Sequence, residues 1–223
     1  MIITKEGFAV LEHDTHLSRW IEGSGRIDHN EKVNQNVCKY FNRGDWVVDA
    51  GASLGDHTVP YASKVGPQGR VFAFEPQKES FQCLEYNTKE FPNVTCLNYA
   101  LGDEIKEVSL SRDANIGASR IGDESGLYSK VPVQPLDHER LSRLNFIKID
   151  TEGYDLFVMR GARNTIMEHR PLILFELSGR SYMDHGQRTS DFVEFIESIN
   201  YRATPEIDLK DGIMVDTLLT PND

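Results

Sequence analysis

The sequence predicts an α/β fold, a mostly parallel sheet with helices packed on its faces, and three observations carry that reading. Four short apolar runs, Val47-Val48, Val71-Phe72-Ala73-Phe74, Phe146-Ile147-Lys148-Ile149 and Leu172-Ile173-Leu174-Phe175, lack the polar alternation of half-exposed strands and read as buried parallel strands. Each run stops at an acid, respectively Asp49, Glu75, Asp150 and Glu176. Helical patterns alternate with them, as in βαβ units. Ligands of parallel sheets bind at the carboxyl ends of the strands, so the four acids are expected to converge on one wet rim.

Taken in order, residues 1–44 form an N-terminal extension before the main domain, residues 45–223. Phe8-Ala9-Val10-Leu11 is a candidate strand, and His13, His16 and Trp20 are groups able to bind. The extension is either a lid over a ligand or a cap on the sheet. Residues 30–41 read as a helix with Val33, Val37, Tyr40 and Phe41 on one side, closed near Arg43-Gly44.

Trp46-Val47-Val48 then enters the turn Asp49-Ala50-Gly51-Ala52-Ser53-Leu54-Gly55. Gly51 permits a sharp bend and lets a ligand approach bare backbone. Gly55 is expected to let the following helix, residues 57–64, pack close to its strand. The first N–H groups of that helix lack internal partners and suit an electron-rich ligand. The spacing is not the dinucleotide fingerprint Gly-x-Gly-x-x-Gly, because Ser53 stands where the second glycine would admit a pyrophosphate.

After Gly66-Pro67-Gln68-Gly69, the strand ending at Glu75 places a carboxylate about 24 residues beyond Gly51, near where nucleotide-binding sheets hold a ribose diol. Residues 78–90 read as a helix and residues 94–100 as the third strand, whose end at Ala100 and Leu101 suits contact with a base. Residues 103–135 are less regular. Short strands at 108–110 and 131–133 flank a polar loop, 113–125, with Gly117, Gly122 and Gly126 nearby, and a loop of this kind is expected at an acceptor site. Asp150 is followed by Thr151-Glu152-Gly153 and a helix to about 162. Residues 189–200 form a helix and 212–219 the last strand, entered through a hairpin-like Asp211-Gly212 turn.

A formal charge of −11 opposes binding to a long phosphate backbone or an anionic membrane, so small molecules are the expected partners; a local basic patch, for example around Arg112, Arg120 and Lys130, leaves nucleic acid demoted rather than excluded. Cys38, Cys83 and Cys96 are odd in number and unpaired in spacing, which reads as reduced thiols. The start carries no signal-like apolar segment, and no run reaches the roughly 18–20 residues of a membrane span. A cytoplasmic protein is expected.

The ordered set Val48-Asp49-Ala50-Gly51-Ala52-Ser53-Leu54-Gly55, Phe74-Glu75-Pro76, Ala100-Leu101-Gly102-Asp103, Ile147-Lys148-Ile149-Asp150-Thr151-Glu152-Gly153 and Arg170-Pro171-Leu172-Ile173-Leu174-Phe175-Glu176 resembles the FkbM family of S-adenosylmethionine (SAM)-dependent methyltransferases. The resemblance covers roughly residues 45–180. It implies the Rossmann-like class I methyltransferase fold, a three-layer α/β/α sandwich around a seven-stranded sheet with an antiparallel last strand. It also implies transfer of the SAM methyl, usually to a hydroxyl of a sugar or natural product, leaving S-adenosylhomocysteine. Where Ser53 stands the family often has Asn, and where His138 follows Asp137 it often has a second aspartate.

On that resemblance Asp49 is expected at the amino-acid end of SAM. Gly51, Ala52, Ser53, Gly55 and Thr58 belong to the binding turn and the helix start, Glu75 and Pro76 to the ribose side, and Ala100 and Leu101 to adenine. Asp150 and Glu152 face the methyl and the acceptor, one of them as general base or acceptor orienter, with Glu176 as a further candidate. Glu152 is alternatively a first-turn helix acid, and His57 either a base or a packing residue. No metal is expected, although paired acids leave a divalent ion open, and a homodimer is also left open. The rival readings are an NAD-dependent oxidoreductase, which Ser53 opposes, and a non-catalytic SAM- or nucleoside-binding module, which has no need of Asp150 and Glu152. An RNA or protein methyltransferase is opposed by the acidic balance and by the lack of an Asn-Pro-Pro-Tyr-type tetrapeptide.

Overall fold

A computed structural model of the protein describes residues 1–28, 31–111, 113–122, 127–178, 181–207 and 214–222. The N-terminal segment pairs β1 (Ile2–Ile3) with β2 (Ala9–Val10) and continues into helices α1 (Leu17–Ser24) and α2 (Glu31–Val37), the latter followed by a 3-10 turn at Cys38–Tyr40. The core then runs β3 (Trp46–Ala50), α3 (Thr58–Val65), β4 (Arg70–Phe74), α4 (Lys78–Thr88) and β5 (Val94–Leu97). Next come β6 (Ala100–Leu101), β7 (Lys106–Ser111) and β8 (Tyr128–Gln134), then β9 (Phe146–Ile149), α5 (Asp155–Gly161), α6 (Arg163–His169) and β10 (Leu172–Ser178). The chain closes with α7 (Ser181–Asp184), α8 (Thr189–Ser198), β11 (Tyr201–Thr204) and β12 (Met214–Pro221).

The apolar runs become the central strands because the sheet is covered on both faces. Along β3, Val47 packs with Phe41, Tyr61 and Phe146, whereas Val48 and Ala50 pack on the opposite side with Ile147, Ile149 and Leu156. The main sheet has seven strands in the order β11-β12-β10-β9-β3-β4-β5. Strands β3, β4, β5, β9 and β10 run parallel, and β12 is antiparallel to β10. From β3 the chain winds outward through β4 and β5, then returns as β9 on the other side of β3. The carboxyl ends of β3 and β9 therefore bound a topological switch point, where such sheets open a crevice.

Three features differ from the expectation. Residues 94–100 are not one strand: β5 ends at Leu97, and Ala100–Leu101 pairs with β8 in a separate three-stranded sheet ordered β6-β8-β7. The break lies at Asn98, whose side-chain amide donates to the Glu75 and Pro76 carbonyls and turns the chain away from the ladder. The sequence reading omitted α6, α7 and β11; β11, Tyr-Arg-Ala-Thr, is short and polar and has no apolar run to announce it. Gly55 does not seat α3 against β3 but faces α4, where an added Cβ would lie 3.2 Å from Leu84 Cδ1 and 3.7 Å from Thr88 Cγ2.

The N-terminal segment packs on this body. Ala9, Val10, Leu11, Leu17, Ile21 and Ile27 form a cluster with Leu54, Cys83 and Ile116. Asn87 of α4 fastens β2, accepting from the Ala9 N–H at 2.7 Å and donating to the carbonyls of Ala9 and Leu54. Buried Asp14 accepts from the N–H groups of His16 and Ser18 at the start of α1, and from that of Ile116 in the loop after β7. All three cysteines are free thiols. Among the described residues no helix is long and apolar enough to cross a membrane. Expectations for Asn30, Arg112, residues 123–126, the Asp211-Gly212 turn, Ile213 and the side chain of Val33 lie outside what is described.

Candidate active site

At the carboxyl ends of the parallel strands lies a cleft of about 450 Å³. Gly51, Ser53, Glu75, Pro76, Ala100, Leu101, Asp150, Glu152 and Glu176 all line it. Asp49, Ala52, Gly55 and Thr58 do not. Asp49 is fully buried beneath the turn, and its Oδ2 accepts from the Thr58 hydroxyl at 2.7 Å. The reason is the strand pleat: Asp49 is still inside β3 and points to the α3 side, whereas Glu75, Asp150 and Glu152 stand just past their strands.

The turn after β3 is held tightly. Gly51 has φ +87°, and a Cβ there would lie 1.9 Å from the carbonyl oxygen of Asp150, so only glycine lets the ends of β3 and β9 meet. Ser53 is left-handed at φ 48°, a conformation that a short side chain such as Asn tolerates better. Its N–H donates to Glu75 Oε2 at 2.9 Å, and the N–H of Gln77 donates to Oε1 at 2.8 Å. Glu75 is thus fixed with both oxygens held at the cleft wall. Burial pushes its carboxyl up to about 7, opposed by those two N–H groups.

Charge in the cleft is organised by a residue that the sequence reading did not single out. Lys148 is buried in β9, in register with Asp49 of β3, and its ammonium meets Asp150 Oδ2 at 2.6 Å. Burial works against the ionised form of either partner, but each outweighs it for the other: Asp150 is held below the usual carboxylate range and Lys148 above the usual amine range. Glu152 differs. Burial, the Asp150 charge and Glu176 together push its carboxyl up to about 7. Glu176 is also raised, by burial first and by Asp150 and Asp216 next.

Glu152 is not a first-turn helix acid. It sits in a left-handed turn at φ 52°, three residues before α5, and the helix-start acid is Asp155, whose carboxylate accepts from the N–H groups of Thr151 and Gly153. His57 does line the cleft, with Nδ1 against Asn34 Oδ1 and Nε2 3.8 Å from Asp56 Oδ2. Asp56 also lines it, with burial pushing its carboxyl to about 7. No strand-end signal marked Asp56, which lies one residue after Gly55 in the turn. Among the described residues no three of His, Cys, Asp and Glu are grouped as metal ligands. The roof combines His16 and Leu17 of the N-terminal segment with Asn115, Ile116, Ser119 and Ile121 of the loop after β7.

The polar atoms facing this cleft suit a ligand carrying both positive charge and hydroxyl groups. Five carboxyl side chains line it and no Lys or Arg among the described residues does; Gln77 also lines it, and its buried amide nitrogen, Nε2, has no hydrogen-bond partner.

Residues 49–203 match the family model described as the methyltransferase FkbM domain. A curated relative, the hexuronic acid methyltransferase AglP of Haloferax volcanii, is 28% identical over 127 residues, or 55% of this chain and 52% of its own. Among solved structures, a methyltransferase FkbM from Methylobacillus flagellatus KT matches with a TM-score of 0.55 at 20% identity, over 90% of this chain and 52% of that one. Aeropyrum pernix fibrillarin, solved with natively bound S-adenosyl-L-methionine, matches at 0.52 and 12% identity, over 85% of this chain and 74% of its own. The chain therefore spans about half the length of the curated relative and of the Methylobacillus protein. The structural likenesses show the class I methyltransferase sheet, and the match of the family model to more than half of the chain shows that this protein belongs to the FkbM methyltransferase domain family.

Proposed function

We propose that the protein is a SAM-dependent O-methyltransferase acting on a hydroxyl of a sugar or similar small metabolite. The observation that carries this is the convergence of Glu75, Asp150, Glu152 and Glu176 on one cleft beside the Gly51 turn. The name of the Haloferax relative agrees with a sugar acceptor.

SAM supplies an electrophilic methyl group on a sulfonium, whose departure needs no proton from the protein. The residues of this chain bind and orient. The Gly51–Ser53 backbone and Glu75 hold the nucleoside, Glu75 offering its remaining lone pairs to the ribose diol while Ser53 and Gln77 fix the carboxylate. Pro76, Ala100 and Leu101 cover the base side, and Gln77 Nε2 is an unspent donor there. Asp49, Ala52, Gly55 and Thr58 act from behind, keeping the turn in shape, Asp49 through the Thr58 hydroxyl. Residues 1–44 act as a lid through His16 and Leu17.

The acceptor hydroxyl must lose its proton as it attacks, and Glu152 takes it. Asp150, paired with Lys148, is the weaker base, and it orients the acceptor and faces the positive charge. Glu152, raised to about 7, is matched to proton removal at neutral pH. Burial first, then the charges of Asp150 and Glu176, keep Glu152 raised.

A thermal melt with S-adenosylhomocysteine, SAM and NAD in parallel tests the reading. At about 100 times its dissociation constant a ligand adds roughly 2.7 kcal/mol, or roughly 5–10 °C for a domain of this size. The two SAM-related ligands are expected to stabilise the protein, and Glu75→Ala to abolish the shift. A shift with NAD alone, or with none of the three, would overturn the proposal.

A further inference from the structure

A second cleft, of about 400 Å³, is lined by Arg120, Ile121, Gly122, Ser181, Asp184 and His185. Ile121 also lines the main cleft, so the two adjoin. The turn that carries Glu152 abuts the second cleft: Gly153 packs so closely on Ser181 that a Cβ would come within 2.4 Å of the Ser181 carbonyl carbon. A molecule held in the second cleft therefore lies beside that turn, next to Ile121, which both clefts share. The lining is suited to a polyol, with a hydroxyl, a carboxylate and an imidazole around the apolar side of Ile121.

Arg120 sets the charge. The main cleft is walled by Asp56, Glu75, Asp150, Glu152 and Glu176, a lining that repels anions. Among the described residues Arg120 is the one Lys or Arg side chain lining either cleft. Its ion pair with Asp184 spans 3.4 Å, with the two side chains 40% and 66% exposed, and a solvent-exposed pair at that separation is held weakly. A guanidinium in this state exchanges its partner readily for an oxyanion that it can bind in a bidentate fashion.

We propose that the second cleft is the acceptor subsite and that Arg120 selects a hydroxylated acceptor bearing an oxyanion, a carboxylate or a phosphate, over a neutral polyol. The proposal deepens the methyltransferase reading and rests on it for the word acceptor; the anion preference itself belongs to Arg120.

Isothermal titration of the full chain at constant ionic strength, with and without saturating S-adenosylhomocysteine, uses D-glucuronate, glucose 6-phosphate and glucose as probes. At least one anionic sugar is expected to bind tenfold or more tightly than glucose, glucuronate alone indicating a carboxylate and the phosphate ester alone a phosphate. In Arg120→Gln the preference is expected to fall to twofold or less while S-adenosylhomocysteine affinity is unchanged, which also shows that the variant is folded. Equal binding of charged and neutral sugars, no binding of any probe, or a preference that survives in Arg120→Gln would each overturn the proposal. If S-adenosylhomocysteine fails to bind, the methyltransferase reading falls, and the titrations run without it still decide the role of Arg120.

Discussion

Replacing Lys148 with Met tests the electrostatic design of the site most directly. The ammonium is buried in β9, 2.6 Å from Asp150 Oδ2, and it also offsets the buried charges of Asp49 and Asp56. A methionine fills the same space without the charge and strands these carboxyls. Removing one partner of a buried ion pair costs about 3–5 kcal/mol. For a domain of this size each kcal/mol lowers Tm by about 2–4 °C, so Lys148→Met should lose roughly 6–20 °C at pH 7.5. The sign of the pH dependence follows from the carboxyls. With Lys148, Asp150 has a depressed folded pKa and contributes stability that persists until pH falls through that depressed value. Without the ammonium its folded pKa lies above the unfolded one, so the penalty is full at neutral pH and fades as the carboxyl protonates. The gap between wild type and variant should therefore narrow between pH 7.5 and pH 5, and Asp150→Asn added to Lys148→Met should recover part of the loss. Melts followed by circular dichroism read all of this. A loss under about 1 kcal/mol, or a gap of equal size at both pH values, would refute the reasoning.

Further outcomes follow from the same contacts. Gly51→Ala puts a methyl 1.9 Å from the Asp150 carbonyl oxygen at φ +87°, and urea unfolding should show a loss of about 2–4 kcal/mol together with loss of stabilisation by S-adenosylhomocysteine. Asp137→Ala removes the carboxylate that accepts from the N–H groups of Asn164 and Thr165 at the start of α6; it should cost about 1 kcal/mol and leave the ligand shift intact. Asp56, Glu75 and Glu152 have folded pKa values near 7, above their unfolded values, so the folded state binds the extra protons. Stability of the ligand-free protein should fall as pH rises from about 4 to about 7. Binding of the SAM cation should lower those pKa values and release protons near pH 7, seen as a dependence of the calorimetric heat on buffer ionisation enthalpy.

Much of the sheet was legible in the chain because a strand covered on both faces is mostly apolar, and Val47-Val48, Val71–Phe74, Phe146-Ile147 and Leu172–Phe175 are the apolar parts of four central strands. Strands answering to another demand were not. The polar strand β11 is specified by its pairing with β12, and β6 exists because the Asn98 side chain satisfies the Glu75 and Pro76 carbonyls and frees the chain to join β8. His138 does not disturb its turn, since Asp137 alone supplies the carboxylate that α6 needs.

The acids that end the strands, and the glycine that must turn between them, are written in the sequence, because strand termination and backbone freedom are local properties. Which of those acids reaches the cleft is not local. Asp49 and Glu75 end similar apolar runs, but Asp49 is the fourth residue of β3 and points beneath the sheet to Thr58, whereas Glu75 lies one residue past β4 and opens on the cleft. One step of pleat separates a carboxyl buried behind the turn from one that lines the cleft. The charge states of Asp150 and Glu152 were equally undivided in the sequence, where both follow the same strand. Tertiary structure separated them by burying Lys148 beside one and not the other, and in a low-dielectric wall the position of a single ammonium decides which carboxyl keeps its charge and which holds a proton near neutrality.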